Sequence, residues 1–368
     1  MTTRAGSHAS KSGRARASSP SLFKAAGLIV ASAALGALLT PAREEASMGS
    51  RRAGEDRGRS AQSPWQISWR GWKDILWRTY QEFQDDRLLA ISAGVVFFAL
   101  LALFPAVTAI VSLYGLFAQP ATISEHIGAI SDFAPEQAVS IIEEQIARLV
   151  SRGDVQLGFG FLLGLGIALW SANAGMKAII DALNIVYEER EKRGFFKLNL
   201  ISLAFTAGAV AAVLFAIGAV VVVPLLLDRV GLGGFSERLI EFGRWPALVI
   251  AILIGLALLY RYGPSRTKAK WRWLSVGSLL ATALWIAGSA LFSYYIRNYA
   301  NYDATYGSLG TGIGLMMWLW MSTVVILFGA ELNAETEHQT TVDSTRGPHK
   351  PMGARGATMA DTVGRAHP

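Results

Sequence analysis

Leu88 to Phe117 reads LLAISAGVVFFALLALFPAVTAIVSLYGLF, thirty residues without one charged side chain. A helix of that length covers about 45 Å at about 1.5 Å per residue, more than the roughly 30 Å hydrocarbon core of a bilayer. Pro105 interrupts the run; it lacks the amide that would bond back to Leu101, so a kink is expected there. Similar runs follow at Leu157 to about Ile180, Leu198 to Leu227, Trp245 to Tyr262, Leu274 to Ile296, and Leu309 to about Ala330. They explain why 368 residues are 52% hydrophobic and only 17% charged, too apolar for a soluble domain of this length. Strands of about ten residues with alternating polarity, the mark of a membrane barrel, are absent. The expected fold is all-α, a polytopic transmembrane helical bundle with six core spans.

Charge orients it. Arg43, Arg51, Arg52, Arg57, Arg59, Arg70, Lys73, Arg78 and Arg87 precede the first span, whereas the next connection sets only Arg148 and Arg152 against six acids. Arg190, Lys192, Arg193 and Lys197 fill the connection after that, and Arg261, Arg266, Lys268, Lys270 and Arg272 crowd the fourth, while Arg297 stands alone in the fifth. Rich and sparse connections alternate, so the positive-inside rule puts both termini of this multi-pass core in the cytoplasm. The formal charge of +7 is thus a topology signal, without the clustered basic and aromatic patch of a nucleic-acid binder. No cysteine is present, so disulfides and thiolate metal sites are excluded.

Residues 1–63 read as a basic, mostly disordered extension with a weak hydrophobic segment at 22–40. That segment imitates a signal peptide, and the alternatives of an extra span, an interfacial hairpin, cleavage, or a start at Met48 stay open. Residues 64–86 read as an amphipathic interfacial helix, because Trp65, Trp69, Trp72, Leu76 and Tyr80 recur at helical spacing. The membrane domain is expected over 87–337 and a disordered cytoplasmic tail over 338–368. Ile123 to Leu149 is expected to form two short amphipathic helices on the outer side. Gly160 with Gly164 and Gly310 with Gly314 are small-residue pairs expected to let helices approach closely.

LLAISAGVVFFALLALFPAVTAIVSLYGLF, LWSANAGMKAIIDALNIVYEE (169–189) and YGSLGTGIGLMMWLWMSTVVILFGAELNAE (306–335) together resemble, in order and spacing, the YihY family of bacterial inner-membrane proteins, also called the virulence factor BrkB family. The resemblance runs from about Trp72 to Glu337 and implies a six-helix membrane protein with both termini inside. An older label for the family, ribonuclease BN, finds no support in the residues. His8, His126, His338, His349 and His367 are scattered, with no two at ligand spacing, and no phosphate-binding loop or nucleophile motif occurs. Neither an enzyme, a metal nor a cofactor is expected.

Candidate functional residues lie on the polar face that interrupts the second span: Asn173, Lys177, Asp181 and Asn184 fall within about 80° of one another at about 100° per residue. Glu331 and Asn333 of the sixth span reach the same depth, and Asp85, Asp86 and Arg87 begin the first span there. Polar groups inside a bundle mark substrate or ion paths. The expected function is therefore a transporter or translocase of an amphiphilic or lipid-like substrate, through a cavity open to the cytoplasm whose floor is closed by a Lys177–Glu331 ion pair. The alternative is a structural or adaptor protein of the envelope that moves nothing. Expected partners are membrane lipids and no nucleic acid, with homo-oligomerisation left open.

Reporter tags after Pro368 and within the Lys192 connection should both score as cytoplasmic, and one beside Asp132 as periplasmic. A periplasmic Lys192 tag would overturn the orientation.

Overall fold

The computed structural model describes residues 57–101, 154–217, 219, 234–298 and 309–367. Among them no β-strand occurs; only an isolated bridge pairs Ala269 with Thr345. A single 3₁₀ turn at Pro64–Gln66 leads to α1 (Trp69–Asp85), which the Ser68 hydroxyl caps by accepting the Gly71 amide at 3.3 Å. Arg87, with φ 52°, turns the chain into α2 (Leu88–Leu101). Then come α3 (Asp154–Val186), α4 (Phe195–Ile217), α5 (Gly234–Tyr262), α6 (Ser275–Asn298), α7 (Leu309–His338) and the short α8 (Thr358–Asp361).

Four of these helices are long and apolar enough to cross a membrane, over Phe195–Ala212, Phe242–Tyr262, Ser275–Ile296 and Gly312–His338. Their outward positions are apolar: Leu200, Ile250, Ile254, Leu279 and Leu291 are each more than half exposed. In water such surfaces would drive aggregation, whereas against lipid tails they cost nothing. The 33 residues of α3 reach about 50 Å, so its last turns extend past an apolar layer of bilayer thickness. Pro105, residues 22–40 and the two amphipathic helices expected before Leu149 lie outside the described residues.

The central pair is α6 with α7. Trp285 donates its indole N–H to Ser322 at 3.0 Å, and Trp318 reciprocates to Ser289 at 3.1 Å. Nearer the polar end, Asn333 accepts the Gly277 amide at 2.8 Å and donates to the Leu274 carbonyl at 3.3 Å. There the two backbones nearly touch: a Cβ on Gly277 would run into the Gly329 carbonyl. The small residues that bring helices together are thus Gly277 and Gly329. A Cβ on Gly314 would meet only the tip of Ile296, at 3.9 Å, whereas Gly310 is buried. Gly160 and Gly164 lie on α3, where their surroundings are not described. Tyr260 ties α5 to the pair through the Ile326 carbonyl at 2.8 Å.

The segment after His338, expected to be a disordered tail, is instead folded over the polar end. Asp343 accepts from the Thr345 amide and hydroxyl at 2.9 and 2.7 Å and from the Lys350 amide at 3.0 Å. Arg355, 2% exposed, donates to the carbonyls of Ala360 and Thr341 at 2.6 and 2.7 Å. Met359 and Ala360 are buried, Met359 within the main apolar core beside Leu183, Tyr187, Leu274 and Ala330. Polar composition suggested disorder; here local side-chain bonds to the backbone, with one buried arginine, replace a periodic helix or strand. Ala61, placed by expectation in the disordered extension, packs with Ile67, Ile75, Trp273 and Leu332.

Gly277→Ala should destabilise the protein by about 1–3 kcal/mol, because backbone must move to admit the methyl group. Gly208→Ala, where a Cβ meets nothing within 4 Å, should be neutral or slightly stabilising. Thermal unfolding in one detergent checks both.

Candidate functional site

The last three turns of α7 read GAELNAETEH, and at about 100° per residue they split their polar groups between two faces. Asn333 and Glu337 share one. Glu337 takes a two-pronged ion pair from Arg266, at 2.7 and 3.0 Å, and accepts the Ser344 hydroxyl at 3.0 Å. Arg266 is 1% and Glu337 0% exposed at the side chain, and the guanidinium also lies 4.1 Å from the Tyr187 ring centroid. Burial alone would lower the Arg266 pKa; the Glu337 carboxylate outweighs it and raises it.

Glu331 and Glu335 share the other face. Glu335 is paired with Arg78 of α1 and lies 3.4 Å from His338 Nδ1. Arg78 reaches further, to Gln339 Oε1 at 2.9 Å and to the Arg365 carbonyl at 2.7 Å, so it fastens α1, α7 and the end of the chain together. Glu331 has no such counterpart. It is 0% exposed, and neither carboxylate oxygen has a hydrogen-bond partner.

More acids face it. Glu335 on α7, Asp86 in the turn after α1, Glu82 on α1 and Glu188 in the turn after α3 all act on Glu331 by like charge. Burial, and then the charges of Glu82, Glu188 and Asp85, push the Asp86 carboxyl up to about 6. Burial, followed by Glu335, Glu188 and Asp85, likewise raises Glu82. Two of the turns that carry these groups are left-handed at non-glycine residues, Arg87 (φ 52°) and Glu188 (φ 51°). Each costs about 1 kcal/mol or more, and such strain gathers at functional sites. Among the described residues no three of His, Asp and Glu converge in metal-ligand geometry.

The polar face of α3 divides differently from expectation. Asn173 points to α4, donating to Asn199 at 3.3 Å, while its own carbonyl oxygen is buried without a partner. Lys177 Nζ lies 6.0 Å from the Phe195 ring centroid, again on α4. Asp181 is exposed. Asn184 clamps two loops, accepting the Ser265 amide at 2.7 Å and donating to Glu191 at 3.1 Å. The expected Lys177–Glu331 ion pair is not formed: both charges sit at one end of the bundle, but the lysine is on the α4 side of α3. Asn333 is a clamp between α6 and α7. Of the six residues read as a path, Glu331 and Asn173 keep unpartnered buried polar atoms. Sequence reasoning missed Arg78 and Arg266, whose partners lie 257 and 71 residues away. The spacing of Glu331, Glu335 and Glu337 at the end of an apolar helix was the available signal.

The virulence factor BrkB family profile matches residues 79–354. The chain belongs to this family. Among its relatives is the ribonuclease-like protein YfkH of Bacillus subtilis (strain 168), 34% identical over 249 residues, which cover 66% of this chain and 88% of that protein. A UPF0761 membrane protein of Pseudoalteromonas translucida (strain TAC 125) is 22% identical over 276 residues, 72% of this chain and 85% of that one. Another, from Actinobacillus pleuropneumoniae serotype 5b (strain L20), is 27% identical over 246 residues, with 66% and 86% covered. No solved structure matches. The matched part of this BrkB-family protein begins within α1, one residue after Arg78, and takes in Asp86, Glu188, Arg266, Glu331, Glu335 and Glu337.

The folded state holds the Asp86 proton more tightly than the unfolded chain does, so stability should fall as pH rises from the ordinary aspartate range through about 6, and be flat above. Asp86→Asn should remove this slope and gain about 1–2 kcal/mol at pH 7.5, with the gain vanishing towards pH 4. Unfolding midpoints across that range check it.

Proposed function

We propose that this BrkB-family membrane protein is a transporter or translocase of an amphiphilic, lipid-like substrate, in the bacterial inner membrane, through a polar cavity that opens to the cytoplasm. The observation that carries the reading is Glu331, a carboxylate fully buried on a membrane-length helix with neither oxygen hydrogen-bonded. A structural carboxylate at that depth would have a partner, as Glu335 and Glu337 do two positions apart on the same helix. An unpartnered one facing other acids suits a group that exchanges a proton or meets a passing cationic group. Asn173, with its buried free carbonyl oxygen, extends the polar path one layer along α3.

We read the chain as a protein other than an enzyme. The ribonuclease-like wording attached to the Bacillus subtilis relative is not carried over, since His338, His349 and His367 lie beside Glu335, Asp343 and Trp77, three separate places. One observation favours the alternative of a non-transporting structural or adaptor protein: Asn184 and Asn333, two of the path residues, are used as structural clamps.

Reconstitution separates the two. In proteoliposomes carrying a fluorescent phospholipid, the wild type should speed transfer between leaflets above protein-free vesicles. Glu331→Gln should reduce the rate about tenfold or more at equal protein content, since a neutral amide cannot exchange the proton. No acceleration by folded wild-type protein, over a range of lipid headgroups, would favour the adaptor.

A further inference from the structure

α1 is inside out for a helix on a protein surface in water. Asp74 and Arg78 are 1% and 5% exposed, whereas Trp69, Leu76 and Tyr80 are 69%, 47% and 66% exposed. At 100° per residue Trp69, Leu76 and Tyr80 fall within about 40°, and Asp74 and Arg78 lie on the opposite side. Trp65, just before the helix, is 71% exposed as well. Lys73 falls beside the apolar row and Arg70 on its flank. Next to this row lies a groove of about 580 Å³, lined by Arg57, Arg70, Lys73, Asp74, Leu76 and His367 together with Trp69 and Trp77.

The groove is built by Arg57, the first half of α1 and the last residues of the chain. His367 at the far terminus stacks edge-on to Trp77, with centroids 5.2 Å apart, and its amide donates to Asp74 at 2.9 Å. Asp74, the one carboxylate of the lining, also accepts from Arg57 at 2.7 Å and Gln339 at 3.4 Å. Those bonds hold it below the ordinary carboxylate range, against the opposing effect of burial. Its charge is balanced internally by Arg57, so the lining keeps the positive sign of Lys73. The Lys73 ammonium lies 5.9 Å from the Trp69 ring centroid, at the rim.

We propose that this groove binds the headgroup of an acidic phospholipid from the surrounding bilayer, with the acyl chains along Leu76 and Tyr80. Two observations select that occupant. The rim charge is positive and suits a phosphodiester, and the apolar row that continues from it is made of the aromatic and aliphatic residues that settle at a membrane interface. A soluble anion would use the charge and leave the row uncovered; a neutral lipid would cover the row and leave the charge unmatched. The site is separate from the Glu331 acids, which lie beyond the buried face of α1.

The experiment is lipid retention by the purified full-length protein, read by native mass spectrometry after exchange into equal parts of phosphatidylglycerol and phosphatidylcholine. Wild type should retain phosphatidylglycerol selectively. Lys73→Gln should weaken retention about fivefold and Lys73→Glu by a similar further factor, while Lys350→Glu, an equal change in net charge on the exposed tail, should leave it unchanged. Each variant is first shown to unfold at the wild-type temperature in phosphatidylcholine alone, and Lys73→Arg should restore retention if a variant does not. Equal retention of the two lipids, wild-type selectivity in Lys73→Glu, or displacement by millimolar glycerol phosphate, which would mark a small-anion site, would each overturn the proposal.

Discussion

Two buried arginines hold the polar end of this protein together. Arg78 and Arg266 meet Glu335 and Glu337, two residues apart on opposite sides of α7, and all four side chains are almost wholly removed from solvent. Burying an ion pair gains little over a well-packed apolar pair, because desolvation consumes most of the attraction. Losing one partner is another matter, since the remaining charge is then buried alone. What the two pairs supply is position. One fixes α1 and the chain terminus to α7, and the other fixes the connection between α5 and α6, with the tail segment joined through Ser344.

That clamp explains why Glu331 is notable. It sits one turn from Glu335 on the same face, in surroundings already arranged to satisfy carboxylates, yet no donor has been brought to it. The acids around it come from α7, from α1 and from the turns after α1 and α3, which are left-handed at Arg87 and Glu188. A purely structural end to the bundle would gain stability by relaxing those turns or by pairing the acid. The proposal of a path past Glu331 rests on this contrast between neighbours on one helix.

The membrane-facing surfaces follow from the same arrangement. Because α1 turns Arg78 and Asp74 inward to meet α7, Arg57 and the C-terminal segment, its aromatic row is left facing outward. A soluble protein would hide that row and expose the charges. A bilayer would serve as solvent for that side of the helix, as the polar cap does for the other.

Much of the fold was legible in the sequence, since uncharged runs of about twenty residues allow only helices in lipid. The described helices α4 to α7 fall on the runs from Leu198, Trp245, Leu274 and Leu309, and the aromatic spacing from Trp65 marked α1. The depth of Glu331, Asn333, Lys177 and Asp86 could also be read, because depth is counted along a helix at a fixed rise. Direction could not. Whether Lys177 turns to Glu331 or to Phe195 depends on how α3 is rotated against α4 and α7, and that is set by packing far away in the chain. Asn184 and Asn333 were polar residues at a suggestive depth until Ser265 and Gly277 arrived as their partners. The tail after His338 was misjudged for the same reason: its order comes from Asp343, Arg355 and Asp361 bonding local backbone, and from Met359 finding the core. Composition and periodicity determine which segments enter the membrane and where they end, because each segment answers to lipid and water alone. Which buried charges are paired, and which one is left without a partner, is decided only when the helices meet.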